Sequence, residues 1–168
     1  LRSFDALNRL RQESFGAGTQ VTYQYDAGPN GIGRLGSVSD PAGSTAWSFD
    51  ALGRVTGKSR DTGGLVLSTS YAYSAGGRLA AMTYPSGRIV TLSRNSLGQV
   101  SGMVTRKDAL AALETVVANV NYRPMSELVS GLSFGNGLTL AATHDLDYRL
   151  SSLRVIDGAV DIVNLSYA

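Results

Sequence analysis

One phrase recurs along the whole chain and fixes what it can fold into. Phe4-Asp5-Ala6-Leu7-Asn8-Arg9-Leu10 returns as Phe49-Asp50-Ala51-Leu52-Gly53-Arg54-Val55. It returns in eroded form as Tyr73-Ser74-Ala75-Gly76-Gly77-Arg78-Leu79 and as Arg94-Asn95-Ser96-Leu97-Gly98-Gln99-Val100. Tyr25-Asp26 to Gly33-Arg34-Leu35 is the same phrase with four residues inserted. Tyr122 to Leu128 and His144-Asp145-Leu146-Asp147-Tyr148-Arg149-Leu150 continue it, and Tyr167 opens one more. The leading residues are spaced by 21, 24, 24, 21, 28, 22 and 23 positions. Self-similarity at such a period means a repeat architecture, in which each unit packs on its sequence neighbours.

A second beat divides each repeat. Eight residues after Leu10, Leu35, Val55, Leu79 and Leu150 stand Gly18, Gly43, Gly63, Gly87 and Gly158. The same count from Val100 and Leu128 reaches Asp108 and Asn136. All are turn formers, because Gly adopts positive φ without penalty and Asn and Asp tolerate it. The segments returning from these turns alternate at period two, as in Val21/Tyr23/Tyr25, Leu65/Leu67/Tyr71/Tyr73 and Val163/Leu165/Tyr167. Alternation sends successive side chains to opposite faces, one apolar and the other small and uncharged, as in Ser68/Ser70 and Thr91/Ser93. One repeat is therefore strand, turn, strand, turn. The chain is expected to be all-β, with about seven stacked β-hairpins forming a curved or spiralling antiparallel strip.

The motif residues have a physical reading of their own. The aromatic ends the apolar face of one strand and can pack one repeat along. Asp accepts backbone N–H groups in the following turn, and Gly supplies positive φ. Arg, four positions past Asp in Asp5/Arg9, Asp50/Arg54 and Asp145/Arg149, reaches back to the carboxylate or stacks on an aromatic ring. The set of structural residues is Phe4, Asp5, Arg9, Tyr25, Asp26, Gly33, Arg34, Phe49, Asp50, Gly53, Arg54, Tyr73, Gly77, Arg78, Gly98, Tyr122, His144, Asp145, Arg149 and Tyr167. A catalytic constellation normally occurs once, so repetition argues that these groups build the scaffold. Repeats lacking Asp (Ser74, Asn95, Arg123) or Gly (Asn8, Ser126, Tyr148) are expected to have less regular turns.

The motif aromatic-Asp-x-x-Gly-Arg-Leu, with its intervening Asp40-Pro41-Ala42-Gly43 and Pro85-Ser86-Gly87 turns, resembles the YD repeat of RHS-repeat proteins. The stretch from Tyr122-Arg123-Pro124 to Leu132-Ser133-Phe134-Gly135-Asn136-Gly137-Leu138 resembles bacterial RHS cores in particular. The resemblance covers essentially the whole chain. It implies a β-strip that spirals into a hollow shell, which in bacterial polymorphic toxins encloses a C-terminal toxin domain; the teneurin barrel is a distant relative. It also implies a secreted or cell-surface protein.

Other chemistry finds little support. The single histidine, His144, occupies the aromatic slot and reads as a packing substitute. No cysteine is present and the acids are spread one or two per repeat, so no metal or cofactor site is expected, and no enzyme. Fifteen Lys+Arg against 13 Asp+Glu give a net charge of only +2, and five arginines sit in one motif slot. Without a basic run, nucleic acid is not expected as a partner. No apolar stretch has the length of a membrane-spanning helix.

The chain reads as one array segment over residues 1–168, incomplete at both ends, because it begins on an incoming strand and stops where the next motif opens. Residues 106–114 are extra material in the longest step, expected as an extended hairpin tip or one helical turn before a strand over Thr115–Tyr122. The expected partners are neighbouring repeats of a parent protein, an enclosed effector domain, or identical chains joined edge to edge, with Leu1–Asp5 continuing the sheet that Leu165–Ala168 leaves open. The function expected is structural: a module of a shell that houses or presents an effector. The alternative is an extracellular binding module for carbohydrate or a cell-surface protein.

Overall fold

The computed structural model describes residues 1–16 and 18–167. Among them lie fifteen strands and no helix. The chain divides into two compact units, residues 1–77 with 82–86 and residues 78–81 with 87–168.

The first unit contains β1 (Arg2–Phe4), β2 (Leu10–Ser14), β3 (Gln20–Tyr25), β4 (Leu35–Asp40), β5 (Gly43–Phe49), β6 (Val55–Thr62) and β7 (Leu65–Tyr73), and it takes the end of β8 (Leu79–Thr83). From β1 to β7 each strand pairs antiparallel with the next. The second unit continues with β9 (Ile89–Arg94), β10 (Val100–Arg106), β11 (Glu114–Tyr122), β12 (Val129–Phe134), β13 (Thr139–His144), β14 (Leu150–Asp157) and β15 (Val160–Ser166), paired in the same way. The all-β hairpin array is therefore the fold. β15 stops at Ser166, and Ala168 lies outside the described residues.

Five motifs close their turn alike, whereas in the sixth Tyr122 faces Val129, one residue past the Leu128 slot. The aromatic-slot residue pairs with the Leu or Val slot across the turn, as in Phe4↔Leu10, Tyr25↔Leu35, Phe49↔Val55 and His144↔Leu150. One pair further in, the register slips by one residue: Ser48 faces Gly57, so Thr56 is left over. Arg11, Gly36 and Ser151 are left over in the same position of their repeats. A bulge of this kind bends its strand and increases the local right-handed twist, so each repeat adds its own increment. On the opposite side the hairpins other than β10–β11 turn on glycine, with Pro41-Ala42 joining β4 to β5. In the β12–β13 turn the positive φ falls on Gly137 rather than Asn136.

The extra segment joins β10 to β11 without forming a helical turn, and β11 starts at Glu114, one residue before the expected boundary. Asp108 Oδ1 accepts the Leu110 and Ala111 N–H groups, each at 2.9 Å, so an Asx-type turn organises the tip.

Within each unit the described residues form no central core. Among the described residues Ala142 is the sole buried hydrophobic residue, joined by buried Gln99 and Thr105. The accessible surface is 10,894 Å², whereas a globular protein of this mass exposes about 7,900 Å². The excess, roughly 3,000 Å², is the size of an obligate protein interface.

Candidate functional site

The motif turn is where polar chemistry concentrates. In the first repeat Asp5 Oδ1 accepts the backbone N–H groups of Leu7 and Arg9, both at 2.9 Å, while Oδ2 accepts Arg9 Nε at 2.7 Å. Asp50 repeats the arrangement with Leu52, Arg54 and Arg54 Nε at 3.0, 2.9 and 2.7 Å. The carboxylate thus satisfies turn amides that the tight chain reversal leaves without a ladder partner. The Arg9 N–H first, and the Arg9 and Leu7 bonds with it, hold the Asp5 carboxyl below its ordinary range; Arg54 does the same for Asp50.

The arginine does not stop at its own repeat. Arg9 lies 4.4 Å over the ring of Tyr25, Arg34 lies 5.6 Å from the Phe49 ring, and Arg54 lies 4.6 Å over Tyr73. Each of these rings belongs to the following repeat. Arg34 Nε also donates to the Gly53 carbonyl at 3.1 Å, and Arg78 Nη1 donates to the Gly98 carbonyl. The tyrosines reach the other way: Tyr73 Oη donates to Val55 O at 2.7 Å and Tyr122 Oη to Val100 O at 2.8 Å. A cation over an aromatic face contributes roughly 0.5–2 kcal/mol depending on desolvation. Together these contacts staple one repeat to the next.

This geometry gives the motif glycine a second duty. Gly53 has φ 78° and Gly98 φ 81°, both left-handed. A Cβ on Gly53 would stand 1.6 Å from Arg34 Nη2, and one on Gly98 would stand 2.5 Å from the Arg78 guanidinium. Glycine is therefore the landing surface for the preceding arginine as well as a turn residue.

The eroded motifs keep the turn except at Ser126, where the positive φ falls on Met125 (φ 57°) and the Arg123 N–H donates to Leu128 O at 2.8 Å, five positions on instead of four. Asn8 (φ 60°) and Tyr148 (φ 65°) take the left-handed position, with the same bonds from Asn8 N to Asp5 O at 3.0 Å and from Tyr148 N to Asp145 O at 3.2 Å. The expected irregularity does not arise at these two positions. Asn tolerates this conformation, and the Tyr148 ring is covered by Arg123 at 3.9 Å. Asn95 Oδ1 accepts Leu97 and Gln99 N–H groups, both at 3.0 Å, replacing Asp with a neutral acceptor. Its Nδ2 donates to Gln99 Oε1 at 2.9 Å, and Gln99 Nε2 donates to Ser126 O at 2.9 Å. Here the guanidinium has moved to the aromatic slot, where Arg94 donates to Gly98 O and Leu79 O at 3.0 and 3.1 Å.

Asp26 sits in the motif with the insertion. It accepts Arg9 Nη1 and Nη2 at 3.2 and 2.6 Å and the Gly33 N–H at 2.6 Å. The Arg9 hydrogen bonds first, then the Gly33 amide, hold its carboxyl at about 2 against an ordinary 3.8. The folded carboxyl titrates below the unfolded one, so its stabilising contribution is complete above 3.8 and is lost as the pH falls toward about 2. Acid titration followed by circular dichroism should show this loss, and Asp26→Asn should flatten it over the same window. An unchanged profile would show that Arg9 is not held by Asp26 in solution.

Arg54 has one imperfection. Its Nε and Nη2 engage Asp50 Oδ2, both at 2.7 Å, but buried Nη1 has no partner. Arg9 donates with the equivalent nitrogen to the Asp slot one repeat on, whereas the slot following Arg54 holds Ser74. Ser74→Asp is therefore expected to raise stability by about 1 kcal/mol, read as a higher urea midpoint, because it restores a charged acceptor.

The remaining motif residues fall as follows. Gly77 donates its N–H to Ser74 O at 2.9 Å, and a Cβ there would lie 3.6 Å from Arg54 Nη1. His144 ends β13 in register with Leu150, and Asp145 Oδ1 accepts the Arg149 N–H at 2.8 Å. The Arg149 guanidinium pairs with Asp147 at 3.5 Å. Tyr167 N donates to Ser151 O at 3.0 Å. Among the described residues no three His, Cys, Asp or Glu side chains converge as metal ligands would.

A bulged antiparallel hairpin array, stapled from motif to motif by arginine and aromatic side chains, is the class of structure defined here. The chain belongs to the RHS-repeat family, whose RHS repeat model matches residues 4–45 and 49–89. The fold is similar to the crystal structure of TcdB2-TccC3, with a TM-score of 0.87 and 15% identity over 99% of this chain and 10% of that one. It is similar also to the TcdB2-TccC3-Cdc42 crystal structure, with a TM-score of 0.77 and 15% identity over 100% of this chain and 11% of that one. A third likeness is to the Photorhabdus luminescens Tc holotoxin pore, with a TM-score of 0.75 and 15% identity over 100% of this chain and 10% of that one. The chain thus spans about a tenth of the length of these structures. Comparison with curated proteins gave no match. The chain is a structural RHS-repeat module.

Proposed function

We propose that this module forms part of the wall of an RHS shell that encloses or presents an effector domain lying outside the chain, in a secreted or cell-surface protein. The observation that carries the reading is the uncovered sheet: 10,894 Å² of accessible surface with Ala142 as the sole buried hydrophobic residue described. A wall one sheet thick needs further repeats beside it and contents or solvent within, and both follow from a longer array. The motif residues, Phe4 to Tyr167, then act as inter-repeat staples rather than as reactive groups. Their charges are already committed to turn amides, to each other and to aromatic rings.

The test uses the full-length parent protein. Limited proteolysis should leave a downstream domain intact within the array, while the same domain expressed alone is cut rapidly. Equal cleavage rates would overturn the shell reading. The isolated chain is expected to lack hydrolase and transferase activity, and a reproducible turnover abolished by His144→Ala would contradict that.

A further inference from the structure

We propose that acid releases the motif staples of the first unit while the staples around Asn95 and Ser126 in the second unit hold, so the array loosens from one unit instead of unfolding as a whole. The two units build the same turn with different chemistry. In the first, carboxylates hold Arg9, Arg54 and Arg60. Asp5 and Asp26 share the Arg9 guanidinium, and Asp50 binds that of Arg54. Asp40 links three strands: it accepts Arg60 Nη1 and Nη2 at 2.8 and 3.1 Å, and Arg60 Nη1 also donates to Thr45 Oγ1 at 3.2 Å.

In the second unit Asn95 stands in the Asp slot and Gln99 in the Arg slot, and their amides bond each other and the Ser126 carbonyl. Ser126 Oγ donates to Arg123 O at 3.0 Å and accepts the Leu128 N–H at 3.3 Å, which holds the next turn. Arg94 and Arg123 donate to the carbonyl oxygens of Gly98, Leu79 and Asp145. Amides, hydroxyls and carbonyls keep their hydrogen-bonding state as the pH falls. A carboxylate does not: protonation removes its charge and part of its acceptor capacity, and the arginine loses its partner.

The sign is the same at all four carboxylates. The Arg60 guanidinium, then the Ala42 N–H, hold the Asp40 carboxyl below its ordinary range, as Arg9 holds Asp5 and Asp26 and Arg54 holds Asp50. Each is more acidic in the folded chain, so its contribution is complete above 3.8 and is lost below it, at Asp26 toward about 2. Glu13, with Arg2 at 2.6 Å and the Tyr23 hydroxyl at 3.2 Å, and Asp61, beside Arg60, face the same strands. In the second unit arginine meets carboxylates at Glu114, Asp147 and Asp161, so the contrast is drawn with β9 to β12, whose motif turns use Asn95 and Ser126. Where the array walls a cavity, acid would part the first unit's strands before those of β9 to β12, a consequence that rests on the shell reading.

Amide hydrogen exchange of the 168-residue chain, measured against pH at constant ionic strength and corrected for intrinsic exchange, tests the contrast. Between about pH 5 and about pH 2.5, protection in β2 to β6 is expected to fall at least about tenfold more than in β9 to β12. Asn95→Asp places a titrating acceptor in the second unit and is expected to steepen the loss in β9 and β10. Should that variant not fold at neutral pH, Asp26→Asn makes the reciprocal test and is expected to flatten the loss in β2 to β4. Equal losses in the two units of the native chain would overturn the proposal, as would profiles unchanged by the folded variant. Neither result bears on whether the wall encloses an effector, so the shell reading stands or falls separately.

Discussion

Gly43→Ala is expected to lower stability by about 3–5 kcal/mol, the sum of a backbone conformation reserved for glycine and an overpacked strand contact. Gly43 opens β5 at φ 139°. A Cβ there would stand 1.9 Å from the Asp61 carbonyl oxygen and 3.2 Å from the Thr62 Cα on the neighbouring strand β6. Both are backbone atoms, so no rotamer relieves the clash; β5 and β6 would have to part. Urea unfolding should report the loss. Because a repeat array is stabilised mainly between neighbours, amide exchange should accelerate first in β4, β5 and β6. Gly63→Ala is the comparison, with φ 62° and open space at its Cβ, and should cost less. Equal costs would show that the β5–β6 approach is looser than the structure has it.

Arg54→Ala is expected to cost about 1–3 kcal/mol, since it removes the ion pair to Asp50 Oδ2 and the cover of an aromatic ring together. Asp50→Ala should act in the same direction. It strips acceptors from the Leu52 and Arg54 amides as well as from the guanidinium. The double substitution should fall short of the sum, because the two side chains share one interaction. Strict additivity, or effects near zero, would mean the pair is solvated and idle. Asp50 and Arg54 are roughly three-quarters withdrawn from solvent, with 21% and 27% of their side chains exposed, so a measurable coupling is expected.

The hairpin array was legible in sequence because period-two alternation and turn residues act locally, and because repetition multiplied the signal. Val21/Tyr23/Tyr25 ends β3 and Leu65 to Tyr73 spans β7 as the alternation requires. The bulge at Thr56 and its counterparts was not legible. An unpaired residue beside a turn leaves no mark on alternation, since the mismatch exists only between strands. The reach of arginine was half legible. A spacing of four residues points Arg54 to Asp50, and that bond forms; the ring of Tyr73 lies nineteen positions away and is brought close only by the pairing of β6 with β7. The second duty of Gly53 was hidden for the same reason, because the side chain filling its Cβ space comes from Arg34 one repeat earlier. Asn8 and Tyr148 departed from the motif in sequence without departing in conformation. The turn is held by Asp and by backbone bonds, which Asn and a stacked Tyr accommodate.

Native-state hydrogen exchange on Arg54→Ala tests most directly whether the motif joins repeats to one another. If the arginine staples its repeat to the next, amides should lose protection both in its own turn, Asp50 to Val55, and at the end of β7 around Tyr73, whose ring it covers and whose hydroxyl bonds Val55 O. A change confined to residues 50–55, with β7 untouched, would contradict the staple and reduce the motif to a local turn.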